Sequence, residues 1–201
     1  MENHFREVIE REVPAGSVLI SVGLPGSWKS PVTEEIGKIK NFPILRSDMI
    51  RVEVLEGEDV FDEKIASDPS RRKRVYDEMF RRTETCLRAD RRGIILDATF
   101  VTQDLRSRAA ELALKADRAF VIAECLCSEK KSIERILKRT RENYESNALT
   151  REAYLNNKAL FQPVDAGELK KKFGHLSIIH LTIDTEFNDV TDWKILQIEK
   201  R

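Results

Sequence analysis

Short apolar runs and longer amphipathic stretches alternate from one end of the chain to the other. "SVLISV" (17–22), "FPILRSD" (42–48), "GIILDATF" (93–100), "RAFVIAECLC" (118–127) and "HLSIIHLTID" (175–184) are brief and rich in β-formers, as strands buried on both faces are. Between them, apolar positions recur every three to four residues, as helices packed on a core require. Phe5, Val8 and Ile9 predict a short N-terminal helix, and residues 29–40, 48–57, 70–93, 102–117, 128–143 and 149–161 predict further helices. Ser128 and Thr150 stand where N-caps belong. Residues 57–70 read as a variable excursion, and "DVTDWKILQIEKR" (189–201) as a closing helix.

This order predicts βαβ units, and so a single α/β domain over residues 1–201. Its five-stranded, mainly parallel sheet is expected between two helical layers, a three-layer α/β/α fold. Sheets of this kind take ligands beyond the carboxyl ends of their strands. The residues that follow each strand are therefore the candidates for chemistry.

Composition narrows the class. A chain of 201 residues suits one domain with a sizeable core. Thirty-five basic residues balance thirty-five acidic ones, so overall charge calls for neither a nucleic-acid nor a membrane partner. No apolar run approaches the roughly 20 residues of a membrane helix. "MENHFREVIEREVP" has no signal-peptide core. Three cysteines, an odd number, fit a reducing cytoplasm better than a disulfide framework.

After the first strand comes "GLPGSWKS" (23–30), which leads into a helix. Successive backbone amides in such a turn make an anion-binding nest, and the helix N-terminus adds positive potential. Gly23, Gly26, Ser27, Trp28, Lys29 and Ser30 are the candidate nucleotide-binding residues. Lys29 is expected on the β- and γ-phosphates and Ser30 on Mg²⁺. Trp28 occupies the place of the second Walker A glycine, and Pro31 follows Ser30. A nest needs φ > 0 before the lysine, which costs a tryptophan about 1–2 kcal/mol. Pro31 brings no amide proton. The loop is expected to bind phosphate all the same, with the indole covering either the phosphates or a base.

Further candidates follow the next two strands. Asp48 and Arg51 in "RSDMIR" share a face three residues apart, suited to a base and an acceptor-orienting cation, or else to an N-cap and a surface charge. Asp97 ends "IILDAT" as a Walker B acid would, for Mg²⁺ beside Ser30, with helix capping as the alternative. Thr99 adds a hydroxyl; Arg106 and Arg108 are equally acceptor ligands or solvated charges. In "SIERILKRTREN" Arg135 and Arg139 are four apart, so on one helix they share a face; Arg141 is a third candidate. Such a pair can close over a triphosphate as a lid, spanning about 128–165 with its tip at 143–150, or simply face solvent.

With "GLPGSWKS", "RSDMIR" and "ILDATF" in this order, the chain resembles the P-loop kinase group that includes polynucleotide 5′-kinases and zeta-toxin-like kinases. The resemblance runs from about residue 18 to 184. It implies ATP and Mg²⁺ as cofactors, Lys29, Asp48, Arg51, Arg135 and Arg139 as the catalytic set, and Ser30 and Asp97 at the metal. Asp48 is implied as general base, Arg51 as a substrate contact, and Asp184-Thr185 as lying near the adenine. The function expected is transfer of the γ-phosphate from a nucleoside triphosphate to a hydroxyl acceptor: a nucleic-acid 5′-end, a nucleotide, a sugar or another small metabolite. The alternative is a non-catalytic, regulatory nucleotide-binding module whose Walker A loop has degenerated.

Other signals carry less. Residues 71–92 hold nine basic against four acidic residues, which reads as a solvated helix face before it reads as a nucleic-acid surface. Cys125 and Cys127 lack partners for zinc, and His4, His175 and His180 are scattered. Trp193 reads as a packing anchor.

Overall fold

The computed structural model describes residues 5–140, 146 and 148–201. Six strands form one sheet: β1 (Val18–Val22), β2 (Ile44–Arg46), β3 (Ile94–Asp97), β4 (Phe120–Leu126), β5 (Ile178–Asp184) and β6 (Lys194–Lys200), in the order β2-β3-β1-β4-β5-β6. The first five run parallel, and β6 is antiparallel to β5. The helices are α1 (Phe5–Glu12), α2 (Lys29–Lys40), α3 (Ser47–Val54), α4 (Glu63–Ser67), α5 (Pro69–Ala89), α6 (Gln103–Lys115), α7 (Glu129–Leu137), α8 (Arg151–Leu160) and α9 (Ala166–Lys172).

Alternation along the strands feeds two cores, one on each face of the sheet. Val18, Ile20 and Val22 of β1 pack with Ile94, Leu96, Phe120 and Ile178 beneath α5, α6 and α9. Leu19 points the other way, with Ile95, Val121, Leu181 and Ile183, beneath α1 and α2. Both faces are buried, which is why these runs show no polar alternation in sequence.

The closing helix read from the last residues is instead β6, which makes the sheet six-stranded. A bulge opposite Thr182/Ile183 leaves Leu196 without a partner, so that Ile195 pairs with Ile183 and Ile198 with Leu181. Two inward isoleucines three residues apart mimic a helical spacing. Trp193 does anchor this end: it is buried, stands edge-on to Phe5 at 5.3 Å between centroids, and donates from Nε1 to the Phe187 carbonyl. The excursion before α5 contains α4, capped by Asp62, and α9 was not foreseen at all.

Candidate active site

The ends of β1, β2 and β3 open into one cleft of about 770 Å³, closed on its far side by α5 and α8. The β1–α2 loop forms its near wall. Gly23 has φ 148° and Gly26 φ 79°; a Cβ on Gly26 would lie 2.3 Å from the Ser132 carbonyl oxygen of α7. Trp28 has φ 64°, the left-handed conformation that the nest requires of this position. The loop's carbonyls turn onto protein donors. Lys29 Nζ donates to Leu24 O at 2.8 Å, Arg135 Nη1 to Gly26 O at 3.3 Å, and Thr185 Oγ1 to Ser27 O at 2.9 Å. In the first turn of α2, Pro31 brings no amide proton and Val32 N donates to Trp28 O at 3.2 Å, which leaves the Lys29 and Ser30 amides for phosphate oxygens. The buried Ser27 hydroxyl has no hydrogen-bond partner, as a group built to meet a ligand oxygen would not.

The indole lines the cleft and is held from behind. Its ring lies against Arg135, with Cζ 4.4 Å from the centroid, and Nε1 donates to Asn188 O at 3.3 Å. Arg135 is 5% exposed. It also donates to the carbonyls of Thr185, Glu186 and Phe187 and to Asn188 Oδ1. It ties the phosphate loop to the β5–β6 connection. Since α7 ends at Leu137, Arg135 and Arg139 do not share a helical face, and the expected pair is not formed. Arg139 lines the cleft and donates to Ala148 O at 3.1 Å. Arg141 lies outside the described residues, as do residues 143–145 and 147 of the expected lid tip. Thr185, fully buried, is spent on Ser27 O and Leu126 O.

Across the cleft, Asp48 begins α3 and Arg51 follows one turn later. Burial raises the Asp48 carboxyl above its ordinary range, and the Asp97 charge raises it further; Arg51, Arg139 and Lys29 pull it back. Burial likewise lowers the Lys29 ammonium, against the opposing pull of Asp97. Asp97 is 5% exposed; its Oδ1 accepts from Ser21 Oγ at 3.0 Å, and Arg46 Nε stands 3.8 Å from Oδ2. Lys29, Ser30, Asp48, Arg51, Asp97, Thr99 and Arg139 thus line one cavity. Ser30 and Asp97 offer the hydroxyl and carboxylate that Mg²⁺ takes alongside phosphate and water oxygens. No cluster of three metal-ligating side chains exists among the described residues.

Two candidate acceptor ligands are otherwise occupied. Arg106 is fully buried and donates to the carbonyls of Phe100, Val101, Gln162 and Pro163, which stitches the β3–α6 turn to the segment after α8. Burial lowers its pKa to about 10. Arg108 pairs with Asp77 at 2.6 Å and covers the Phe80 ring. Sequence reasoning missed Arg72, Tyr76 and Asn157, which complete the far wall. Tyr76 Oη accepts from Phe100 N at 3.1 Å and so pins the turn after β3. Arg72 was legible in principle. In the run Arg71 to Arg74, Arg71 and Arg72 stand four residues before buried Val75 and Tyr76, which turns both toward the inner side of α5, and of the two Arg72 lines the cleft.

The sequence profile of a family described as an AAA domain matches residues 18–164, well over half of the chain. The chain belongs to this AAA-domain family. No curated protein matches it at a significant level. Solved structures resemble the AAA-domain chain across most of its length. One is a gluconokinase from Sinorhizobium meliloti, 18% identical, with 84% of this chain and 82% of that one covered and a TM-score of 0.54. A candidate kinase from Chloroflexus aurantiacus is 18% identical, with 88% and 94% covered and a TM-score of 0.62. The complex AvrRxo1-ORF1:-ORF2 with ATP is 12% identical, with 97% and 61% covered and a TM-score of 0.57. At these identities the likeness is one of fold: a P-loop kinase-like α/β/α domain. No helix among the described residues is long and apolar enough to cross a membrane.

Proposed function

We propose that this chain is an ATP-dependent kinase that phosphorylates a hydroxyl acceptor. The observation that carries the proposal is the meeting of Lys29, Ser30, Asp48, Arg51, Asp97 and Arg139 in a single cleft at the strand ends. Kinases among the fold neighbours support it. Asp48, at the carboxyl end of β2, takes the proton of the acceptor hydroxyl. The oxygen then forms its bond to the γ-phosphorus as the bond to the bridging oxygen breaks and ADP leaves. Lys29 and Arg139 balance the negative charge that spreads over the phosphoryl oxygens. Ser30 and Asp97 are the residues that would hold Mg²⁺, which would add to the neutralisation of the phosphates. Arg51 holds the acceptor for attack, and Arg135 acts at a distance by fixing the loop.

The test is calorimetric titration with ATP and Mg²⁺. Binding is expected, and Lys29→Ala is expected to abolish it at millimolar nucleotide. Wild-type protein that ignores millimolar ATP would overturn the reading in favour of a degenerate module.

A further inference from the structure

Arg51 is a buried cation with donors unmatched among the described residues. It is 8% exposed, and neither Nε nor Nη1 has a hydrogen-bond partner. Leaving buried charged donors unpaired costs several kcal/mol by order of magnitude, so a fold keeps such a group only where something repays it. Beside it stands Arg72. Burial and the nearby charge of Arg51 both disfavour the Arg72 cation. Among the described residues its hydrogen bonds go to neutral acceptors, Ala66 O at 3.2 Å and Asn157 Oδ1 at 3.5 Å.

The rest of α5 behaves differently. Arg71 pairs with Glu58, Lys73 with Asp77, Arg74 with Glu58, Arg81 and Arg82 with Glu78, and Arg88 with Glu84. These cations have carboxylates; Arg72 has another arginine beside it. Asp48 lines the same cavity, and the Arg51 charge acts on its carboxyl there. Two guanidinium groups, one with Nε and Nη1 unmatched, therefore meet at the acceptor end of the cleft, beside the Asp48 carboxyl and between amide and apolar walls supplied by Asn157, Leu160 and Ala66.

We propose that the acceptor is itself anionic, carrying a phosphate ester or a carboxylate besides its reactive hydroxyl, and that Arg51 and Arg72 jointly receive that oxyanion beside Asp48. Two guanidinium forks suit the planar or tetrahedral oxygens of such groups. Identifying the ligand as the acceptor rests on the kinase reading; the anion site itself does not.

The experiment separates the two. Inorganic phosphate and acetate are titrated calorimetrically, without nucleotide or Mg²⁺, into Lys29→Ala, which removes the phosphate loop's own cation. One anion site is expected to remain, and adding Arg51→Met or Arg72→Met is expected to weaken it about tenfold or more. Preference for phosphate points to a phosphate ester and preference for acetate to a carboxylate. If the Lys29→Ala protein binds neither anion, or if the double variants bind as well as it does, the site does not exist. Should a methionine variant fail to fold, Arg51→Lys and Arg72→Lys stand in. They keep the charge and lose the fork; several-fold weakening is expected, and unchanged affinity overturns the proposal. Failure of ATP to bind wild-type protein would remove the kinase reading and leave this result untouched.

Discussion

Arg51 lines the cleft and Arg135 stands behind its phosphate loop, and both are more than nine-tenths buried. Their surroundings differ entirely. Arg135 is wrapped by backbone carbonyls, Asn188 Oδ1 and the face of Trp28. Arg51 leaves two nitrogens unmatched. A satisfied buried guanidinium is architecture: it cross-links loops, and nothing is left over to bind. An unsatisfied one is a cost the free protein bears until a ligand arrives. The loop end of the cleft is thus prebuilt, and the acceptor end is held in readiness.

The sharpest way to break this contrast is to remove chemistry from the acceptor end without disturbing the fold. Asp48→Asn is expected to lower kcat about 10²–10⁴-fold, the usual worth of a general base. Because Asp48 is held above the ordinary carboxylate range, the wild-type rate should fall as pH drops through that raised value, an acid limb the variant lacks. The stability sign is opposite. A folded-state pKa above the unfolded one means stability is lost as pH rises through it, so Asp48→Asn should melt higher than wild type at neutral pH. A variant that melts lower and keeps its rate would remove Asp48 from the mechanism.

The two arginines predict opposite signs. Arg135→Met strands the carbonyls of Gly26, Thr185 and Asn188's neighbours, and urea denaturation should show a loss of about 2–3 kcal/mol. Arg51→Met removes a buried guanidinium with two unmatched nitrogens, and the same measurement at a pH where Asp48 is protonated should show a gain of about 1 kcal/mol. If both variants destabilise alike, the distinction between architecture and readiness fails.

This division also marks what the sequence let through. The strands, the loop and the acids after the strands were legible because a buried parallel sheet leaves uninterrupted apolar runs, and a phosphate loop must sit between strand and helix. The exceptions have physical causes. β6 was hidden by its bulge, since Ile195 and Ile198 keep a helical spacing on a strand. Arg135 and Arg139 look paired at four residues apart, but the spacing does not reveal that α7 stops at Leu137. Whether an arginine is satisfied depends on partners far along the chain, such as Asn188 for Arg135, and no local pattern records that. Arg72 is the instructive middle case: its helical phase pointed inward, but the charge of its neighbours disguised it.

Trp28 gives the smallest and cleanest measurement. Its left-handed backbone costs about 1–2 kcal/mol, while its ring over Arg135 returns about 0.5–2 kcal/mol. The two nearly cancel, so comparing either substitution with wild type alone says little. Comparing two substitutions separates the contributions. Trp28→Ala loses the ring and keeps the strain; Trp28→Gly loses both. Glycine should therefore be more stable than alanine by about 1 kcal/mol in urea, with wild type close to the glycine variant. If alanine and glycine are equal, the loop is not held in the left-handed region in solution. The phosphate nest would then form only when phosphate enters, and the loop end would be as dependent on its ligand as the acceptor end.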